Sequence, residues 1–99
     1  SVVVQNGLIL AVEAIEGTDE MIKRAGKLKF SGLGPILVKA PKINQDMRFD
    51  QPVIGEQTIE NAYKSGFSGI ACKHKNVLII NLEKVIKLAE KRQITLFGF

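Results

Sequence analysis

Val2-Val3-Val4-Gln5-Asn6-Gly7-Leu8-Ile9-Leu10-Ala11-Val12-Glu13-Ala14 is the stretch that decides the fold class. Two apolar runs flank Asn-Gly, and a two-residue type I′ turn needs φ > 0 at both central positions, which these two residue types tolerate. The stretch predicts a β-hairpin. Immediately downstream, Gly17-Thr18-Asp19-Glu20 opens a segment of different period. Thr18 is a capping residue type, and two acids sit where the helix dipole is positive. Met21, Ile22, Ala25 and Leu28 then recur at helical spacing and predict one apolar helix face.

The rest of the chain extends this alternation. Ser31-Gly32-Leu33-Gly34-Pro35 is a breaker cluster, and Ile36-Leu37-Val38 reads as a short buried strand ending at Lys39. Residues 40–55 show no period and contain Pro41 and Pro52; a loop of that length inside a small domain is more often functional than idle. Ile59, Ala62 and Tyr63 mark a helix over 56–64, with Gly66 suited to its C′ position. Gly69 to Cys72, then 73–76, then Val77 to Ile80, predicts a second hairpin. Asn81 is expected to cap a third helix with a Leu82, Val85, Ile86 and Ala89 seam, and 94–97 reads as a final strand. The expected class is therefore α/β (mixed α+β). It is a single small domain over residues 1–99, a mixed β-sheet with two β-hairpins and about three helices packed on it.

Composition narrows what such a domain does. The 99 residues are 45% hydrophobic and 24% charged, an ordinary globular balance that excludes wholesale disorder. Fourteen Lys and Arg against ten Asp and Glu leave a net charge of +4. Every charged residue from Ser1 to Ile22 is acidic, whereas Lys23 to Lys29 holds four bases and no acid. A mild basic excess in blocks favours an anionic ligand such as phosphate. Few aromatics and no Trp argue against nucleic acid. The lone Cys72 makes no intrachain disulfide and points to a reducing compartment. One Cys and one His build no zinc site. No apolar run approaches the roughly 20 residues that cross a bilayer, and no secretory signal is expected. The chain opens inside strand-like sequence without an initiator Met, which predicts a longer natural protein.

Two constellations carry chemistry. Lys39-Ala40-Pro41-Lys42-Ile43-Asn44-Gln45-Asp46-Met47-Arg48-Phe49-Asp50-Gln51-Pro52 gathers two carboxylates, an Arg and two Lys in a Pro-stiffened loop. Hard cations are held by one or two carboxylates with phosphate oxygens. Arg grips phosphate bidentately and Lys as a point charge. Such a set suits phosphoryl transfer, and a solvated loop with locally paired charges remains the alternative. Glu13-Ala14-Ile15-Glu16-Gly17-Thr18-Asp19-Glu20 joins a strand end to a helix start, where backbone N–H groups hold anions. A plain helix cap is its alternative. Gly32 and Gly34 fit no nucleotide-binding fingerprint, His74 reads as a turn residue between two Lys, and Cys72 as a small buried hydrophobe.

The segments from Ala11 to Ile22 and from Lys42 to Gly55, together with Gly66-Phe67-Ser68-Gly69-Ile70-Ala71 and the closing Leu96-Phe97-Gly98, resemble one family. It is the two-domain UDP-2,3-diacylglucosamine pyrophosphatase of bacterial lipid A synthesis, the type that is not calcineurin-like. The resemblance covers essentially the whole chain and corresponds to the family's C-terminal, catalytic domain. It implies a Mg²⁺-dependent hydrolase that splits the pyrophosphate of UDP-2,3-diacylglucosamine into UMP and 2,3-diacylglucosamine 1-phosphate, by water attack on the α-phosphorus. Asp46, in the family's Gln-Asp-x-Arg motif, carries over as essential to catalysis, with Asp50 as its partner. Asp46, Glu16 and Asp19 are the expected metal positions. Thr18, Lys39, Lys42, Gln45 and Arg48 are the expected substrate-binding positions. Ile43 stands where the family commonly has Pro.

The family's N-terminal domain is absent from this chain, so the domain alone is expected to be inactive. The implied setting is cytoplasmic, peripheral to the inner membrane and in transient contact with its surface. The expected partners are a lipid-linked UDP-sugar and the missing domain, with no nucleic acid and with a homodimer left open. The competing reading is a non-catalytic small-ligand-binding or oligomerisation domain of a larger protein.

Overall fold

The structure, a computed structural model, describes residues 1–40, 53–73 and 77–99. Strands β1 (Val2–Gln5) and β2 (Leu8–Val12) form the expected hairpin, with Asn6 at φ 53° and Gly7 at φ 77° supplying the two positive dihedrals of its turn. Helix α1 (Thr18–Leu28) follows, then β3 (Ile36–Lys39), a two-residue β4 (Val53–Ile54) and helix α2 (Glu56–Lys64). Strands β5 (Gly69–Cys72) and β6 (Leu78–Ile79), helix α3 (Leu82–Arg92) and β7 (Thr95–Gly98) complete the described elements. The main sheet runs in the order β2-β1-β3-β5-β7. β1 is antiparallel to both its neighbours, and β3, β5 and β7 are parallel. This is the mixed sheet with three helices that the sequence predicts.

The second hairpin does not form. β5 is flanked on both sides by parallel partners, β3 and β7, while β6 pairs in parallel with β4 in a separate two-stranded sheet. Gly69-Ile70-Ala71-Cys72 lacks the apolar–polar alternation of a one-sided hairpin strand, and such continuous runs belong to buried parallel strands. A parallel partner requires a crossover, which α3 supplies. Thr18 does not cap α1, because Gly17 takes that position and the Thr18 hydroxyl bonds to Glu13 instead. Nor does the Asn81 side chain cap α3; its backbone carbonyl accepts from Val85 N at 3.0 Å.

Along the strands, side chains alternate between two faces. Val3, Leu37 and Ile70 stand opposite one another in register and are completely buried. They meet Met21, Ile22 and Ala25 of α1, Ile59 and Ala62 of α2, and Val85 and Ala89 of α3 in one core. The helices touch in chain order, α1 on α2 and α2 on α3, as right-handed crossovers moving one way across a sheet require. Leu28, Leu82 and Ile86, which the helical spacing also assigns to the core, are exposed. Gly34 fits because a Cβ there would lie 2.0 Å from the Gly66 carbonyl oxygen, so the chain entering β3 passes directly against the end of α2. Among the described residues, no helix is long and apolar enough to cross a membrane.

Candidate functional site

The ends of β2 and β3, and the start of α1, converge at one end of the sheet. Lys39 is the last residue of β3 and follows Leu37 on the helix-facing side. Glu13 comes directly after β2, and Thr18 is the first residue of α1. Lys39 Nζ donates to Thr18 Oγ1 at 3.0 Å, and the same hydroxyl donates to Glu13 Oε1. The backbone N–H groups of a first helical turn have no intrahelical partner and face this end. The result is a cation, a hydroxyl and a helix start within one small volume.

Burial shapes the charges here. It pushes the Lys39 ammonium below its ordinary value, with the Glu13 and Asp19 carboxylates pulling the other way. Burial pushes the Glu13 carboxyl up, while the Thr18 hydrogen bond and the Lys39 charge pull it down. Glu16 is engaged elsewhere: Arg24 Nη2 meets its Oε1 at 2.5 Å and Arg24 Nε its Oε2 at 3.3 Å, while Nη2 also donates to Val12 O at 3.0 Å. The Arg24 hydrogen bond holds the Glu16 carboxyl low and raises the guanidinium. This clamp ties the strand end to α1. Asp19 is exposed in the first turn of the helix.

Thr18, Asp19 and Lys39 are thus brought together, with Glu16 turned to Arg24. Lys42, Gln45, Asp46, Arg48 and Asp50 lie outside the described residues, as does His74. Among the described residues, no group of three His, Cys, Asp or Glu side chains is placed to hold a metal ion. The described half of the site therefore does not by itself fit a divalent cation. What it offers is charge neutralisation and orientation of an anion, through an ammonium and a helix start.

Two features escaped the sequence reading. Glu13 looked like one of several acids before a helix; its place at the end of β2, five residues before Thr18, is the signal that singles it out. The other is an apolar groove of about 560 Å³, lined among others by Ile54, Cys72, Ile79, Leu82, Ile86 and Phe97. Cys72 is the register partner of Lys39 on the adjacent strand, so the groove reaches the neighbourhood of the cation. Its lining comes from five separate elements, which no single stretch reveals. Burial raises the Cys72 thiol, which favours its protonated form.

Comparison with known proteins adds two findings. The profile of the family described as LpxI C-terminal domain matches residues 1–97. A protein of Caulobacter vibrioides, the UDP-2,3-diacylglucosamine pyrophosphatase LpxI, is 39% identical over 102 aligned residues, covering 97% of this chain and 36% of that protein. The chain spans about a third of the length of the curated relative it matches.

Proposed function

The chain belongs to the LpxI C-terminal domain family, and from that premise we propose that it is the C-terminal part of a hydrolase acting on UDP-2,3-diacylglucosamine. The products would be UMP and 2,3-diacylglucosamine 1-phosphate. The observation that carries the reading is the half-buried Lys39 ammonium, anchored on Thr18 at the start of α1, where a diphosphate can be gripped. The neighbouring apolar groove supports an acylated substrate, since it offers an aliphatic chain a surface one strand away from that cation.

In this reading Lys39, held by the Thr18 hydroxyl and joined by Lys42 and Arg48 from the following segment, neutralises and orients the diphosphate, and Gln45 completes the polar contacts. Asp46, partnered by Asp50, takes the proton of the attacking water. The water oxygen bonds to the α-phosphorus as the anhydride P–O bond breaks, and the sugar 1-phosphate leaves with the bonding electrons. Mg²⁺ is proposed as the cofactor, with Asp46 and Asp19 as the residues that would hold it while Glu16 stays with Arg24; bound there, it would add charge neutralisation. The proposal extends to a cytoplasmic enzyme at the inner-membrane surface, whose N-terminal domain closes the site. A homodimer is compatible with it.

Asp46→Asn in the full-length protein is expected to lower UMP release by about 10²–10⁴-fold, the usual contribution of a general acid–base group, with an unchanged circular dichroism spectrum. Turnover within about threefold of wild type would overturn the assignment and favour a ligand-binding or oligomerisation domain without chemistry of its own.

A further inference from the structure

We propose that Glu13 is a positioning residue for substrate binding: its carboxylate fixes the Thr18 hydroxyl so that the oxygen lone pair holds the Lys39 ammonium toward the diphosphate. The proposal rests on the functional reading above for the identity of the anion, but not for the geometry. The direction of the chain follows from what each group can do. An ammonium only donates, a carboxylate only accepts, and a hydroxyl has one hydrogen and two lone pairs. With Lys39 Nζ 3.0 Å from Thr18 Oγ1, and that oxygen bonded to Glu13 Oε1, the hydroxyl hydrogen must point at Glu13 and a lone pair at Lys39. No other assignment satisfies all three groups.

Anchoring uses one of the three N–H groups of Lys39, and among the described residues the other two have no acceptor. It also removes much of the rotational freedom of a long side chain before the ligand arrives, a cost otherwise met on binding. The backbone reinforces the arrangement. Glu13 follows β2, Lys39 ends β3, and Thr18 begins α1, so the three groups sit where three packed elements begin or end. Arg24, bonded to both Val12 O and Glu16, pins the connection between Glu13 and Thr18. Among the described residues, Asp19 is the other carboxylate whose charge reaches Lys39. It lies in the exposed first turn, whereas Glu13 is half-buried behind Thr18.

The test uses the full-length protein. Glu13→Ala and Thr18→Val are each expected to raise the KM for UDP-2,3-diacylglucosamine about tenfold while kcat changes less than about threefold, the pattern of lost uniform binding. Glu13→Gln and Thr18→Ser keep an acceptor and a hydroxyl, and are expected to stay within about threefold of wild type. The Glu13→Ala/Thr18→Val double variant is expected to be no worse than the weaker single variant, because both break one chain. A merely structural role would lower stability without that KM-against-kcat split or the rescue. Wild-type KM in Glu13→Ala, or multiplicative effects in the double variant, would overturn the proposal. NMR of the substrate-free protein reads the chain directly: hydrogen exchange of the Lys39 ammonium is expected to be slow in wild type and faster in both disrupting variants. Unchanged exchange alongside normal hydrolysis removes this proposal alone. Wild-type protein that releases no UMP removes the functional reading, and this role for Lys39 with it.

Discussion

Gln5 and Lys39 occupy helix-facing positions two residues beyond Val3 and Leu37, and the two polar side chains have opposite fates. Gln5 is 4% exposed, yet it is fully employed. Its Nε2 donates to Phe30 O at 3.0 Å and Leu33 O at 2.9 Å, and its Oε1 accepts from Phe30 N at 2.8 Å. It thus pins the irregular segment between α1 and β3. Among the described residues Lys39 spends one donor, on Thr18, and burial works against its charge. Because its folded-state pKa lies below the ordinary 10.5, the unfolded chain binds more protons in the window between the lowered value and 10.5. Lys39 therefore contributes a rise in stability with pH across that window, and subtracts stability below it. Lys39→Met is expected to raise the urea midpoint at neutral pH and to flatten the alkaline rise, while weakening substrate binding. Urea melts at neutral and alkaline pH check this; a lower midpoint for the variant at pH 7 would contradict it. Stability given up for a positioned cation is what a binding site predicts.

At the level of elements, two helix ends show how the same bonds are made with different residues. After α2, Gly66 at φ 81° donates its N–H to Tyr63 O and Phe67 N reaches Ala62 O at 2.9 Å. After α3, Gln93 at φ 58° donates to Glu90 O and Ile94 N reaches Ala89 O at 2.9 Å. Both ends carry the paired bonds of a Schellman closure, but a side chain in the left-handed region costs roughly 1–2 kcal/mol relative to glycine. Gln93→Gly is accordingly expected to stabilise the domain by about 1 kcal/mol in urea denaturation, and a destabilised variant would refute the account. The two helices are also tied at their sides. Arg92 Nε meets Glu60 Oε1 at 2.8 Å while its guanidinium lies 4.5 Å from the Tyr63 ring centroid. The α2 boundaries and Gly66 were readable in advance, whereas β4 lies in the stretch read as a loop and neither Thr18 nor the Asn81 side chain caps its helix. Nor was the partner of each strand readable, as the Gly69–Cys72 and Leu78–Ile79 pair demonstrates.

Over the whole molecule, three helices lie on one face of the main sheet, and the opposite face is also apolar. Val2, Val4, Ile36 and Val38 on that side are half-buried, and the edge residues Ile9 and Val12 are 66% and 56% exposed. Parallel strands are normally covered on both faces, and open apolar edges invite association. Ile9→Lys with Val12→Lys is expected to reduce self-association of the 99-residue chain in light scattering. Its stability should move by no more than about 0.5 kcal/mol per position, as for surface changes; unchanged scattering would show that this edge does not drive association. By itself, the order of the residues determined the first hairpin, the three helices, the class of the fold and, through two motifs, the family. All of these depend on neighbours within a few residues, where dihedral preference and apolar period act directly. Only the tertiary structure decided that Gln5 is a buried clamp, that Thr18 serves Glu13 and Lys39 rather than its own helix, and that an apolar groove opens beside Cys72. Each of those joins positions far apart in the chain, and which distant groups meet depends on how strands are ordered across a sheet, a choice that no local pattern encodes.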